Sequence, residues 1–426
     1  MKNKLSMAGM LNTIKPTFKA VEKPNGKMAI EDCLLSGLSL FSLKYSSLLQ
    51  YDNERENIAG NLKNLFGMSE LPSDTYMRER LDEIDPRALR PCFTKLFAEV
   101  QRAKKLESYQ YLDNKYLLSL DGTGFFSSKT VHCDQCCQKK HKNGSVTYYH
   151  QILQGAIVHP SHKQVIPLAP EPISYQDGHT KNDCELNAAK RFLNDFRREH
   201  PKLPTRLLAD ALFANEPFVE ALKARDMSFI INVKPKNHTW LFDYFKTEKT
   251  ESYECTDSDG VTHYFEFINQ APLNSTEKTK INFLFYKQTS PKGVEKCMTW
   301  ITDTHLTKSN VFAVMQGGRA RWKIENETFN TLKNQGYQFE HNFGHGNKNL
   351  SHVFATLMLL SFTIDQIMEM NCKVFNAALK AAKKRRYLWE YIIGILRQWT
   401  VLSWSSLYEG IANQRERIKP IFYDSG

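Results

Sequence analysis

With 426 residues and 41% hydrophobic content, the chain can bury a sizeable core, and its length fits two or three domains better than one. Its 57 Lys and Arg outweigh 46 Asp and Glu, and the resulting net charge of +11 favours an anionic partner, nucleic acid first. Nine cysteines, an odd and sparse set, exclude a disulfide scaffold and suit a reducing, cytoplasmic compartment.

The stretch from Met1 to Lys27 carries scattered Lys and no continuous apolar run, so it does not read as a secretory signal. From Glu31 to Leu112 the apolar spacing is mostly helical, with a start signal at Ser73-Asp74 and a stop at Asp85-Pro86. Residues 1–112 therefore read as a helical N-terminal domain. The period then changes. Leu117 to Leu120 is a short apolar run that ends on Asp121 and enters the turn Gly122-Thr123-Gly124. Tyr148 to Val158 and Gln164 to Ala169 follow as a hairpin about His159–His162. A helical pattern from Asp183 to Glu199 leads to a second apolar run, Thr205 to Ala209, which ends on Asp210. A helix from Asn215 to Arg225 and a strand from Met227 to Val233 complete a core segment, 113–233.

Strands alternating with helices predict an α/β fold, a mixed sheet flanked by helices, with catalytic groups where strand ends converge. Residues 234–305 turn β-rich, with strand patterns at Tyr253–Thr256, Val261–Ile268, Ile281–Lys287 and Val294–Thr302, and read as an insertion. Helical patterning returns over Asn310 to Leu332, giving a last core segment, 306–360, and a helical C-terminal region, 361–426. The most apolar run, Val353 to Ile364, is too short to span a membrane, which takes about 20 residues, and reads as a core helix.

Three acids stand out. Asp121 and Asp210 close two apolar strands, where Asp also serves as an ordinary turn or cap residue. In the segment Arg321 to Lys333 the residues Arg321, Glu325 and Phe329 recur at intervals of four and share a helix face, whereas Glu327 projects elsewhere and competes less well as the third acid. Two aspartates and a glutamate form an oxygen site suited to two Mg2+ or Mn2+ ions, which could activate a water or a 3′-hydroxyl in phosphoryl transfer. Arg321 and Lys333 would then meet phosphates.

The segments LLSLDGTGFFSS, LLADALFAN and RWKIENETFNTLK together resemble the three acidic motifs of DDE insertion-sequence transposases with a ribonuclease-H-like core. The likeness covers roughly Tyr116 to Leu360, and the β-rich stretch before the third acid matches the branch with an insertion domain. The chain carries Gly318 where that branch has a Tyr, and Lys333 lies one position later than the branch's Lys. The resemblance implies metal-dependent DNA cleavage and strand transfer, an N-terminal DNA-binding domain, binding of terminal inverted repeats and target DNA, and a homodimer that pairs two ends. It also implies an aromatic in the insertion for an extruded base, for which Trp300 and Trp240 are candidates, with burial in the insertion's core as their ordinary role. The alternatives are a ribonuclease-H-like nuclease without transposition and a DNA-binding protein with a dead core.

A second constellation lies between the first two acids. Cys133 and Cys136 have the spacing of half a zinc site, and His141 or His150 could add a third ligand; a Lys-rich surface loop with reduced thiols is the plainer reading. Asp183 and Glu185 open a helix and have a dipole explanation. The run Lys383 to Arg386 suits either a DNA backbone or a solvated helix end.

Overall fold

The computed structural model describes residues 4–21, 26–174 and 183–413, so parts of the predicted N-terminal and C-terminal segments, including 414–426, lie outside the described residues. The chain forms two compact units. One comprises Lys104–Gly124 and Gln151–Phe329; the other comprises Met1–Ala103, Phe125–His150 and Asn330–Gly426.

The first unit is built on a mixed sheet. Its strands are β1 (Gln110–Tyr111), β2 (Lys115–Ser128), β4 (Val146–Val158), β5 (Ile166–Pro167), β6 (Glu171–Ile173), β7 (Thr205–Ala209) and β8 (Ser228–Asn232); β3 (Cys137–Lys140) belongs to the second unit. The sheet continues through β9 (Glu251–Thr256), β10 (Thr262–Pro272), β11 (Lys280–Thr289) and β12 (Glu295–Thr302). Neighbours run in the order β4-β2-β7-β8-β12-β11-β10-β9, with β1 beside β2 and the short β5 and β6 antiparallel to β4. Both β2 and β4 change unit along their length, after Gly124 and after His150.

The central strands β2, β7 and β8 are parallel neighbours. Every residue of β7 is buried, as a strand covered on both faces requires; Leu207, Leu208 and Ala209 are apolar, and the buried Arg206 is paired with Asp113 at 2.8 Å. The helix Glu185–Glu199 precedes β7 and buries Ala188, Ala189, Phe192, Leu193 and Phe196. The helix Glu216–Lys223 makes the crossover from β7 to β8, capped by Asn215, whose side chain accepts from the Phe218 N–H at 3.1 Å. This is the predicted α/β mixed sheet flanked by helices, with β7 and β8 following β2 in ribonuclease-H-like order. The four strands predicted for the insertion are present, but they prolong the core sheet: β12 pairs antiparallel with β8 through Trp300↔Asn232 and Thr302↔Ile230.

The helical pattern predicted over Asn310 to Leu332 is broken. An α-helix covers Val311–Arg319, a π-helical turn covers Ile324–Phe329, and a short helix, Asn330–Asn334, opens the next stretch. Such π turns insert one extra residue per turn and recur at functional sites.

The second unit is mainly helical. Its centre is the helix Leu350–Asn371, on which the helices Ile30–Ser42, Asp74–Asp82 and Arg90–Arg102 pack. Its 22 residues would be long and apolar enough to cross a membrane, but nearly all are buried, in keeping with the core helix predicted over Val353 to Ile364. Asp82 anchors its start, accepting backbone N–H groups from Asn347, Lys348, Asn349 and Leu350 at 2.9 to 3.2 Å. Gly346 permits this approach: its φ is +66°, and a Cβ there would stand 2.4 Å from an Asp82 carboxylate oxygen.

Candidate active site

Register does the first part of the work. Ser119 of β2 stands opposite Leu208 of β7, and two residues further along both parallel strands Asp121 comes level with Asp210. Adjacent strands lie about 4.8 Å apart, so the two carboxylates leave the sheet side by side. Asp121 Oδ1 accepts from its neighbour's Gly122 N–H at 2.9 Å. Asp210 caps the 3-10 turn Ala211–Phe213, its Oδ1 accepting from the Leu212 N–H at 2.9 Å.

The third acid arrives on the π-helical turn. Ser119 Oγ donates to the Arg321 carbonyl at 3.0 Å, which ties the segment before that turn to β2. From there the Arg321 guanidinium reaches Asp121 Oδ2 at 3.1 Å and Glu325 Oε1 at 2.6 Å. Asp121, Asp210, Glu325, Arg321, Trp322 and Lys234 all line one cavity of about 530 Å3; Glu327 is not among its lining residues. Glu325 keeps 48% of its side chain exposed against 18% for Asp121, so the glutamate is the acid with room to move.

Burial pushes the Asp121 carboxyl up to about 7; Arg321 works against this, while Glu325 and Asp210 add to it. The pocket is short of positive charge.

A fourth acid joins them. A Cβ on Gly122 would stand 2.5 Å from the Glu185 carboxyl, so glycine at this position lets Glu185 lie against the backbone beside Asp121. Burial raises the Glu185 carboxyl, and Asp210 raises it further. Asp183 lies before the N-cap Cys184 and pairs with Arg191 at 2.6 Å, whereas Glu185 sits in the first turn, where the dipole reading applies without foreseeing its approach to Gly122. The one sequence signal was the glycine after Asp121.

The other residues expected to contact DNA are placed as follows. Trp300 is 1% exposed and packs on Gly318, where a Cβ would fall 2.6 Å from the indole Nε1, the burial that is its ordinary role. Trp240 is half-buried and stacked on Tyr244 with ring centroids 5.4 Å apart. The exposed aromatic of the cavity is Trp322, at 42%. Arg321 pairs with the carboxylates of Asp121 and Glu325. Lys333 belongs to the second unit, where it pairs with Glu340 at 2.7 Å. Arg385, from the basic run, is engaged by both carboxylate oxygens of Glu369.

In the second unit Cys133 and Cys136 are buried together, but His141 is not with them: it is exposed and bonds Thr147 Oγ1 at 2.8 Å. Their companions are His150 and His345.

Comparison with known proteins follows the same line. A family model described as the transposase DDE domain matches residues 115–362. No curated protein matches the chain. Among solved structures, a cryo-EM structure of a piggyBac transposase synaptic complex with hairpin DNA aligns with a TM-score of 0.43 and 12% identity, over 97% of this chain and 80% of that one.

Proposed function

Since the chain belongs to the transposase DDE-domain family and acts on DNA, we propose that Asp121, Asp210 and Glu325 are the carboxylates with which it cuts the ends of a mobile element and joins them to a target. The observation that carries this reading is the register of β2 against β7, which sets Asp121 level with Asp210. Arg321 bridges from Asp121 to Glu325 and completes the group.

Four acids, Glu185 included, gather where Arg321 and Lys234 are the cations lining the cavity. Carboxylate oxygens in excess over cations fit two Mg2+ or Mn2+ ions, held by Asp121, Asp210 and Glu325. When bound, such ions supply Lewis-acid activation of a water or 3′-hydroxyl and stabilise the leaving oxygen. The chain's own residues prepare the site. Burial pushes the Asp121 carboxyl up, while the Arg321 guanidinium, like any cation held there, favours its ionised, ligating form. Arg321 is a positioning residue that keeps Asp121 and Glu325 together. At the rim, Trp322 offers a flat face to an unpaired base, a contact of about 1–3 kcal/mol, and Lys234 offers its charge to a phosphate. Terminal inverted repeats are the DNA to be recognised, and a homodimer pairs the two ends.

The test is cleavage of DNA carrying the element's ends in Mg2+ or Mn2+. Asp121→Ala, Asp210→Ala and Glu325→Ala each fall below about 1% of wild-type cleavage, Glu185→Gln falls less far, and Glu327→Ala stays near wild type. Cleavage retained by all three alanine variants would overturn the assignment. Loss in Glu327→Ala with retention in Glu325→Ala would move the third acid. Joining of cut ends to a target plasmid separates transposition from simple nuclease action.

A further inference from the structure

The second unit holds a group of side chains that DNA cleavage does not use. Cys133, Cys136, His150 and His345 are all buried, and one ligand atom from each lies within 4.8 Å of every other. The two sulfurs are 3.9 Å apart; His150 Nε2 is 3.4 Å from Cys133 Sγ and 3.3 Å from Cys136 Sγ; His345 Nε2 is 3.3 Å from Cys136 Sγ.

These separations can be compared with a coordination sphere. Zinc–sulfur bonds of about 2.3 Å and zinc–nitrogen bonds of about 2.0 Å, arranged tetrahedrally, put two sulfurs about 3.8 Å apart and a sulfur and a nitrogen about 3.5 Å apart. The observed spacings match to within about 0.2 Å, close enough for an ion to sit between all four. We propose that Cys133, Cys136, His150 and His345 bind one structural Zn2+.

Three further features agree. The Cys136 N–H donates to the Cys133 carbonyl at 3.2 Å, the tight turn that brings a Cys-x-x-Cys pair onto one ion. Both imidazoles turn Nε2 toward the sulfurs, the ring nitrogen each would offer to the ion. Phenyl rings wall the group: Phe125 stacks on His150 at 5.7 Å and Phe126 lies 4.3 Å from His345. Four protein ligands in a closed apolar setting leave no position for a reacting water, which makes the ion structural and not catalytic.

Its effect follows from chain connectivity. The ligands come from the loop before β3, from β4, and from the loop before the helix Leu350–Asn371, and Cys136 and His345 are 209 residues apart in sequence. One ion closes that long loop, which would otherwise cost chain entropy on folding.

Full-length protein purified with reduced thiols and without added chelator should carry about one zinc per chain. X-ray absorption at the zinc edge should give two sulfurs at about 2.3 Å and two nitrogens at about 2.0 Å, and replacement by Co2+ should give the intense visible bands of a tetrahedral ion with thiolate charge transfer. Cys136→Ser and His345→Ala should lose the zinc, whereas His141→Ala keeps it. Absence of zinc with intact thiols, a Cys133–Cys136 disulfide in its place, an oxygen-rich zinc shell, or zinc loss in His141→Ala would each overturn the proposal. The spectra are read on wild-type protein, so a variant that fails to fold does not decide the matter.

Discussion

Gly318 shows how one position carries information in two directions. By spacing it occupies the place where related chains have a Tyr, and the structure supplies the cause: Trp300 fills that space from β12. Adding a single methyl would force the indole or the helix Val311–Arg319 to shift, and overpacking of this kind costs about 1–3 kcal/mol. Gly318→Ala should therefore lower the midpoint of denaturant unfolding, and the loss should shrink when Trp300 is first reduced to Leu. An equal loss in both backgrounds would mean that the two do not meet. The same scale separates what could be read in advance from what could not. Asp121 and Asp210 were visible because each ends an apolar run, and Arg321 marked Glu325 by its distance of four. Glu185 was hidden, since its relation to Gly122 depends on a helix packing over a strand end. His141 misled by nearness in sequence, while His345, from a distant loop, could not be linked to Cys136 by any local pattern.

Among the elements, the helix Leu350–Asn371 depends most visibly on a single remote side chain. Burial would raise the Asp82 carboxyl, but four backbone N–H groups at the helix start outweigh it and hold the carboxyl below the usual range. The sign follows. A depressed folded-state pKa contributes stability that is present above the ordinary Asp value of about 3.9 and is lost as pH falls through the lower folded value. Wild-type melting temperature should thus drop on acidification below about pH 4 more steeply than that of Asp82→Asn, and the variant should be less stable at pH 7 by about 1 kcal/mol. Parallel curves would mean that the carboxylate has no such role. The strands of the β-rich stretch are legible to within one to four residues at their ends because turn residues bound them, the largest difference being the continuation past Ile268 to Pro272. That they would join β8 was not readable, because pairing partners leave no mark on a strand's own alternation. The π turn was invisible for a similar reason: apolar spacing does not distinguish an extra residue in one turn from a regular helix.

For the whole molecule, the net charge of +11 has a measurable consequence. Contacts with four to six phosphates should weaken binding to non-specific duplex by roughly 10²–10³ between 50 and 200 mM salt, which fluorescence anisotropy would follow; a flat profile would argue against an electrostatic DNA surface. Neither compact unit is a continuous stretch of chain, for the second draws on the two ends and on 26 residues from the middle, Phe125–His150. Local patterning marks stretches of like structure and cannot say which of them pack together. At the far margin of the sheet lies β9, whose outer side pairs with no strand among the described residues. Such a margin invites an identical neighbour to continue the ladder. Here Glu251 and Glu254 are both exposed along six residues, so a second β9 laid alongside in parallel register would bring like charges together on both faces. Copies of this protein are thereby discouraged from polymerising edge to edge through β9.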